Sequence, residues 1–280
     1  MKQITIAHSP DSDDAFMFYA LAVGKLDTGG LEFIHVLKDI QTLNVAARER
    51  VYDVTAVSIH GYADICDGYQ LLNSGASMGE GYGPMVVARR PVPPSDLAFL
   101  QVAVPGLQTS AYLALKLFCP QVRTISIPFN EIQDAVRDGR VEAGLLIHEG
   151  QLTYASDGLH EVVNLAEWWA SSTNGLPLPL GGNVIRRDME PALKRHVARL
   201  LRQSIQYSLD HREEALAHAM SYARDLPPSL ADQFVGMYVN PRTLDYGPDG
   251  RQAVELFLSM AHEAGLIAVM PPLDFVTEEP

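Results

Sequence analysis

Short apolar runs recur along the first two-thirds of this 280-residue chain, and most of them lead into a stretch with helical periodicity. "QITIAHS", "LEFIHVL" and "RTISIPF" read as strands, whereas "DDAFMFYALAVGKL" reads as a helix with Phe16, Tyr19, Ala20 and Val23 on one face. "DIQTLNVAARER" is predicted as a helix opened near Asp39, "DVTAVSIHGYADI" as a strand running into a helix, and "GPMVVARRP" as a strand stopped by Pro91. Strands separated by helices return through crossovers and pair in parallel, which confines the chain to an α/β fold.

After the Pro-rich stretch "RRPVPPSDL" the pattern restarts. "QVAVPG" gives a strand and a turn, "TSAYLALKLF" a helix, "NEIQDAVRDGR" a helix capped by Asn130 and ending at Gly139, and "VEAGLLIH" a further strand. From about residue 186 helices take over. One carries Val197, Leu200, Leu201 and Ile205 as a stripe, and others are expected at 212–225, 229–237 and 249–265. No repeat of 20 to 50 residues is visible. The simplest architecture is two α/β lobes, with 1–92 and 186–280 forming a large discontinuous domain and 93–185 a small one. The Pro-rich and Gly-rich segment at 177–188 is where the chain is expected to return. A ligand would sit in the cleft between the lobes, beyond the carboxyl ends of the strands.

A formal charge of −13 argues against nucleic acid or an anionic membrane as partner, since both call for a basic face. The N-terminus lacks the apolar core of a secretory signal, and no window reaches the ~18 apolar residues of a membrane span, so a cytoplasmic protein is expected. Cys66 and Cys119 lack the spacing of a redox pair or a zinc site and read as packed thiols.

Within this frame a few residues could carry chemistry. His148 ends the strand "AGLLIH", where an imidazole titrating near neutrality suits a general base and equally suits a core histidine bonded to a carbonyl. Glu149 beside it points to the opposite face and reads as structural. Thr109 and Ser110 open a helix whose first N–H groups would hold a carboxylate or phosphate, or would simply be capped. Asp11, Asp13 and Asp14 lie at another helix start, where capping accounts for them, and the spacing of a calcium loop is absent, so no metal is expected. Ser58 after "VTAV" reads as a ligand-contacting serine rather than a nucleophile, because no G-x-S-x-G elbow surrounds it. Gly79, Gly81 and Gly83 form a loop that either approaches a ligand or merely turns. Trp168 and Trp169 are either an aromatic wall or plain packing. Neither a phosphate-binding P-loop nor a G-x-G-x-x-G dinucleotide fingerprint occurs.

The blocks "SPDSDDAFMFYAL", "DIQTLN", "GYGPMVVAR", "VAVPGLQTSAYLAL", "VEAGLLIHEGQLTY" and "EWWASSTNGLPLPLGGNVIRRD", in this order, resemble the 1,4-dihydroxy-6-naphthoate synthases of menaquinone biosynthesis. The likeness runs from residue 4 to about 188 and weakens in the C-terminal helices. It implies a two-lobed α/β fold of the periplasmic-binding-protein type II kind. It also implies a carbon–carbon lyase that converts cyclic dehypoxanthine futalosine to 1,4-dihydroxy-6-naphthoate without cofactor or metal. The partner would be a small carboxylate substrate only, with no nucleic acid or membrane, and the protein a monomer or homodimer. By the same resemblance His148 is the base, Thr109 with Ser110 holds the carboxylate, and Ser58 and Asn44 occupy pocket positions. The family carries Cys-Pro-Asn-Asp after its first Ser-Pro; here Asp11-Ser12-Asp13-Asp14 follows, and only Asp14 is retained as a substrate contact. Two rivals share the fold: the sibling chorismate dehydratase, in which the strand matching "LLIHE" lacks the His-Glu pair, and a non-catalytic binding protein for a small carboxylate.

Overall fold

In a computed structural model, which describes residues 2–222 and 227–276, twelve strands form two mixed sheets. They are β1 Lys2–His8, β2 Leu31–Leu37, β3 Val54–Ser58, β4 Tyr69–Leu72, β5 Ser77–Gly79, β6 Met85–Ala88, β7 Gln101–Val104, β8 Arg123–Ser126, β9 Ala143–Leu146, β10 His160–Asn164, β11 Leu178–Arg186 and β12 Phe275–Val276. The first sheet runs β12-β4-β11-β3-β1-β2, with β5 also pairing with β11; the second runs β10-β6-β9-β7-β8.

The expected parallel crossovers are present: β1 pairs in parallel with β2 and β3, and β7 with β8 and β9. Antiparallel strands are built in beside them. β11 lies antiparallel to β3 and β4, and β6 antiparallel to β9 and β10. Every residue of β3, β6 and β9 is buried, which fits strands covered on both faces. Gly144 shows how closely they are covered: a Cβ there would meet Ile132 Cγ2 at 2.5 Å and Val136 Cγ2 at 2.7 Å, so the helix Ile132–Arg137 packs straight onto β9.

The long helix Pro191–Asp210 buries Val197, Leu200, Leu201 and Ile205 against Ile4 and Ile6 of β1 and the helix Ser12–Met17. Each such side chain contributes about 1.5–3 kcal/mol. A second core joins Val86 and Val102 of the second sheet to Trp169 and Phe257, and so ties the C-terminal helix Gly247–Glu263 to it.

The structure corrects several expectations. β6 belongs to the second sheet, because its apolar run is paired on both edges. The chain therefore passes between sheets at 80–84, before residue 85, rather than at 92. It returns before β11, at about 177, the start of the segment expected for the return, so the boundary drawn at 186 moves back by the length of β11. The prolines at 91–94 lead into a 3₁₀ turn, Pro94–Phe99, inside the second lobe. The helix expected over 13–26 breaks at Phe18 into Ser12–Met17 and Tyr19–Ala22, and Val23 is 43% exposed rather than on the buried face. Asn130 lies in a 3₁₀ turn, and Glu131 occupies the N-cap position of the next helix without a side-chain capping bond. Of the helix expected at 212–225, Arg212–Ala219 is observed, while 223–225 lie outside the described residues. Among the described residues no helix is long and apolar enough to cross a membrane.

Candidate active site

A cavity of about 130 Å³ opens where β1, β3, β7 and β9 end, at the carboxyl ends of the strands. Ser58, Thr109, Ser110 and Asp14 all lie in its wall, so four of the six residues singled out for the site are brought together. Ile147, Asn183, Phe234 and Tyr238 join them.

Thr109 caps the helix Ser110–Phe118. Its Oγ1 accepts from the Tyr112 N–H at 3.1 Å and donates to the Gly106 carbonyl at 2.9 Å. The Thr109 hydroxyl is thereby committed to the turn. What it presents to the cavity is a helix start held in place, with the Ser110 and Ala111 N–H groups leading. Ser110 Oγ accepts from the His60 N–H at 3.1 Å, which leaves its own proton to donate.

Asn44 stands behind Ser58 rather than in the wall. Its Nδ2 donates to Ser58 Oγ at 3.0 Å and to the Gln108 carbonyl at 3.3 Å, and its Oδ1 accepts from the Ser58 N–H at 2.8 Å. It therefore orients the serine and ties β3 to the turn that precedes Thr109.

The aspartates form an acidic wall. Asp14 accepts from the Ser9 N–H at 2.6 Å, and Ser9 Oγ donates to Asp11 at 2.5 Å. Burial is the main reason that the Asp14 carboxyl rises to about 7; its bond from Ser9 opposes the shift and Asp11 adds to it. Asp13 is also pushed well up, first by burial and then by Asp14, Asp11 and Glu149. Tyr238 OH donates to Gln151 Oε1 at 3.0 Å and closes this end of the cavity, its own phenol pushed up by burial. Among the described residues no group of three or more His, Cys, Asp or Glu side chains is arranged to hold a metal ion.

His148 follows Ile147 but is not itself in the wall. Its Nδ1 accepts from the Gly150 N–H at 2.9 Å and its Nε2 lies 3.2 Å from the Phe129 carbonyl. A carbonyl only accepts, so Nε2 carries the proton and the ring is neutral in this pose. The side chain is 11% exposed, edge-on to Phe129, with the buried Glu149 carboxylate 4.0 Å from Nδ1. The two tryptophans are packing. Trp169 Nε1 donates to the Pro177 carbonyl at 2.9 Å and Trp168 meets Phe118 edge to face. Asn183 and Tyr238 escape sequence reasoning because they reach the cavity from β11 and from the helix Pro228–Tyr238, far along the chain.

Two α/β sheets around a cleft of this kind define a two-lobed fold of the periplasmic-binding-protein type. The alkanesulfonate-binding protein of Xanthomonas axonopodis pv. citri, solved with MOPS bound, shares that fold at TM-score 0.74 and 12% identity, with 97% of this chain and 96% of that one covered. Residues 4–263 match the menaquinone biosynthesis family, and the chain belongs to it. It is 40% identical over 276 residues to a 1,4-dihydroxy-6-naphthoate synthase of Thermus thermophilus, covering 99% of this chain and all of that one. A relative of the same name from Streptomyces coelicolor is 37% identical, with 96% of each chain covered. A crystal structure of an Archaeoglobus fulgidus protein superposes at TM-score 0.91 with 45% identity, covering 95% of this chain and 98% of that one.

Proposed function

We propose that this protein is an enzyme that forms 1,4-dihydroxy-6-naphthoate from cyclic dehypoxanthine futalosine, as a carbon–carbon lyase of menaquinone biosynthesis acting in the cytoplasm. Identity running the length of two synthases supports this reading over chorismate dehydratase and over a binding protein without chemistry. The observation that carries it is a capped helix start and Ile147, the residue before His148, in one cavity wall.

The substrate carboxylate docks at Thr109–Ser110, where N–H groups and the Ser110 hydroxyl converge. His148 takes a carbon-bound proton beside a carbonyl, the bond to the sugar-derived fragment breaks, and the remaining ring becomes aromatic. To present Nδ1 to the cavity, the imidazole gives up its bond from Gly150, a neutral contact worth about 1 kcal/mol net, and turns from the Phe129 carbonyl toward the wall. Incubating the purified protein with cyclic dehypoxanthine futalosine and following naphthoate absorbance tests the reading. Turnover supports it, and saturable binding with no product refutes it in favour of a binding protein.

A further inference from the structure

Asn183 sits within β11, directly opposite Ala56 of β3, and is one of the residues that line the cavity while only 1% exposed. Its Nδ2 donates to the Gly75 carbonyl at 3.2 Å. Since that oxygen can only accept, the contact fixes which way the carboxamide faces. A Cβ at Gly75, which sits at φ +87°, would collide with Nδ2, so glycine at this position is what lets the amide reach the carbonyl in this orientation. Its Oδ1 then has no hydrogen-bond partner among the described residues. A buried acceptor left unpaired in a cavity wall is costly and marks where a donor is to arrive.

Asn183 pairs with Ala56, and Gly181 with Ser58, so these four residues share a face of the sheet. The Ser58 hydroxyl stands at one end of a floor made otherwise of Ala56 and Gly181. Asn183 stands at the other, two residues or roughly 7 Å along the strand. Ser58 is the end joined to the Thr109–Ser110 turn through Asn44. Asn183 is thus the polar contact farther from the carboxylate dock.

We propose that Asn183 is a specificity-determining residue whose Oδ1 accepts a hydrogen bond from a hydroxyl of the ligand, on the side away from its carboxylate. The assignment rests on the function proposed above and adds to it which end of the molecule lies on β11. The test compares two probes, both carrying a carboxylate: 1,4-dihydroxy-6-naphthoate, handled anaerobically, and 2-naphthoate, which lacks the hydroxyls. Replacing Asn183→Ala weakens the dihydroxy acid roughly tenfold, the equivalent of ~1.4 kcal/mol, and leaves 2-naphthoate unchanged. In turnover, KM rises by about the same factor and kcat changes less. If the Ala variant does not fold, Asn183→Ser is used, with the ratio of the two dissociation constants as the readout. Equal weakening of both probes, or of neither, in a wild type that turns over the substrate overturns the proposal alone. A wild type without turnover overturns the functional reading and takes this assignment with it.

Discussion

His35 Nδ1 lies 3.1 Å from His8 Nε2, and His8 Nδ1 lies 2.9 Å from the Ser9 carbonyl. The carbonyl requires the His8 proton on Nδ1, so His8 Nε2 accepts from His35 and both rings are neutral. Burial, followed by the neighbouring imidazoles, lowers His8 to about 3 and His35 to about 4. The unfolded chain titrates near 6.5 and takes up more protons than the native state between there and about 4. Stability from this pair is therefore complete above about pH 6.5 and lost as pH falls, by up to ~1.4 kcal/mol per unit for each ring. Urea midpoints taken from pH 7 to 4.5 should fall steeply, and His35→Gln should make that fall shallower. An unchanged slope in the variant would remove the pair from the acid response.

Asp14 works in the opposite direction. Its folded value of about 7 lies above its ordinary 3.8, so the stability tied to its proton is fully present below about pH 3.8 and is lost progressively until pH reaches about 7. Asp14→Asn keeps an acceptor for the Ser9 N–H and cannot ionise. Relative to the wild type, the variant's melting temperature should therefore rise as pH goes from 4.5 to 7.5. Asp13, shifted the same way, retains part of the loss.

Removing the Asn44 carboxamide strands the buried Ser58 N–H and loosens the Gln108 turn. Asn44→Ala should cost about 1–3 kcal/mol. At about 2–4 °C per kcal/mol for a chain of this size, a thermal melt will resolve it. Substrate KM should rise in the same variant, because Ser58 loses its orientation. A variant as stable and as tight-binding as the wild type would show the contact to be idle.

A positioned base is worth on the order of 10²–10⁴-fold. His148→Ala should lower kcat by about that factor and leave KM within a few-fold, as measured by naphthoate formation under saturating substrate. Retained kcat would take His148 out of the chemistry and turn attention to Asp14, whose carboxyl already lies in the wall.

The lobes and half of the site could be read from residue order, because unbroken apolar strands and a Thr-Ser helix start carry local signals that survive folding. "AGLL" and "VTAVS" are buried throughout, as their composition requires. The crossing point is not legible, because proline marks a break without saying which sheet it interrupts, and here it turns the chain within the second lobe. β10, with two exposed residues in five, has too little pattern to be seen until it pairs with β6. Asn183 owes its pose to Gly75, 108 residues earlier, and the His148 ring owes its own to Gly150 and the Phe129 carbonyl. No spacing rule within a strand or helix reports such contacts.

Two stretches of backbone join the sheets, 80–84 and the entry into β11 at about 177. Pro84 belongs to the first and Leu180 and Gly181 follow the second, and all three touch the cavity. Arg242 grips the first from outside, reaching Glu80 at 2.7 Å while holding Asp249 at 2.6 Å. A molecule lodged inside would therefore touch both of the segments that carry the chain from one sheet to the other.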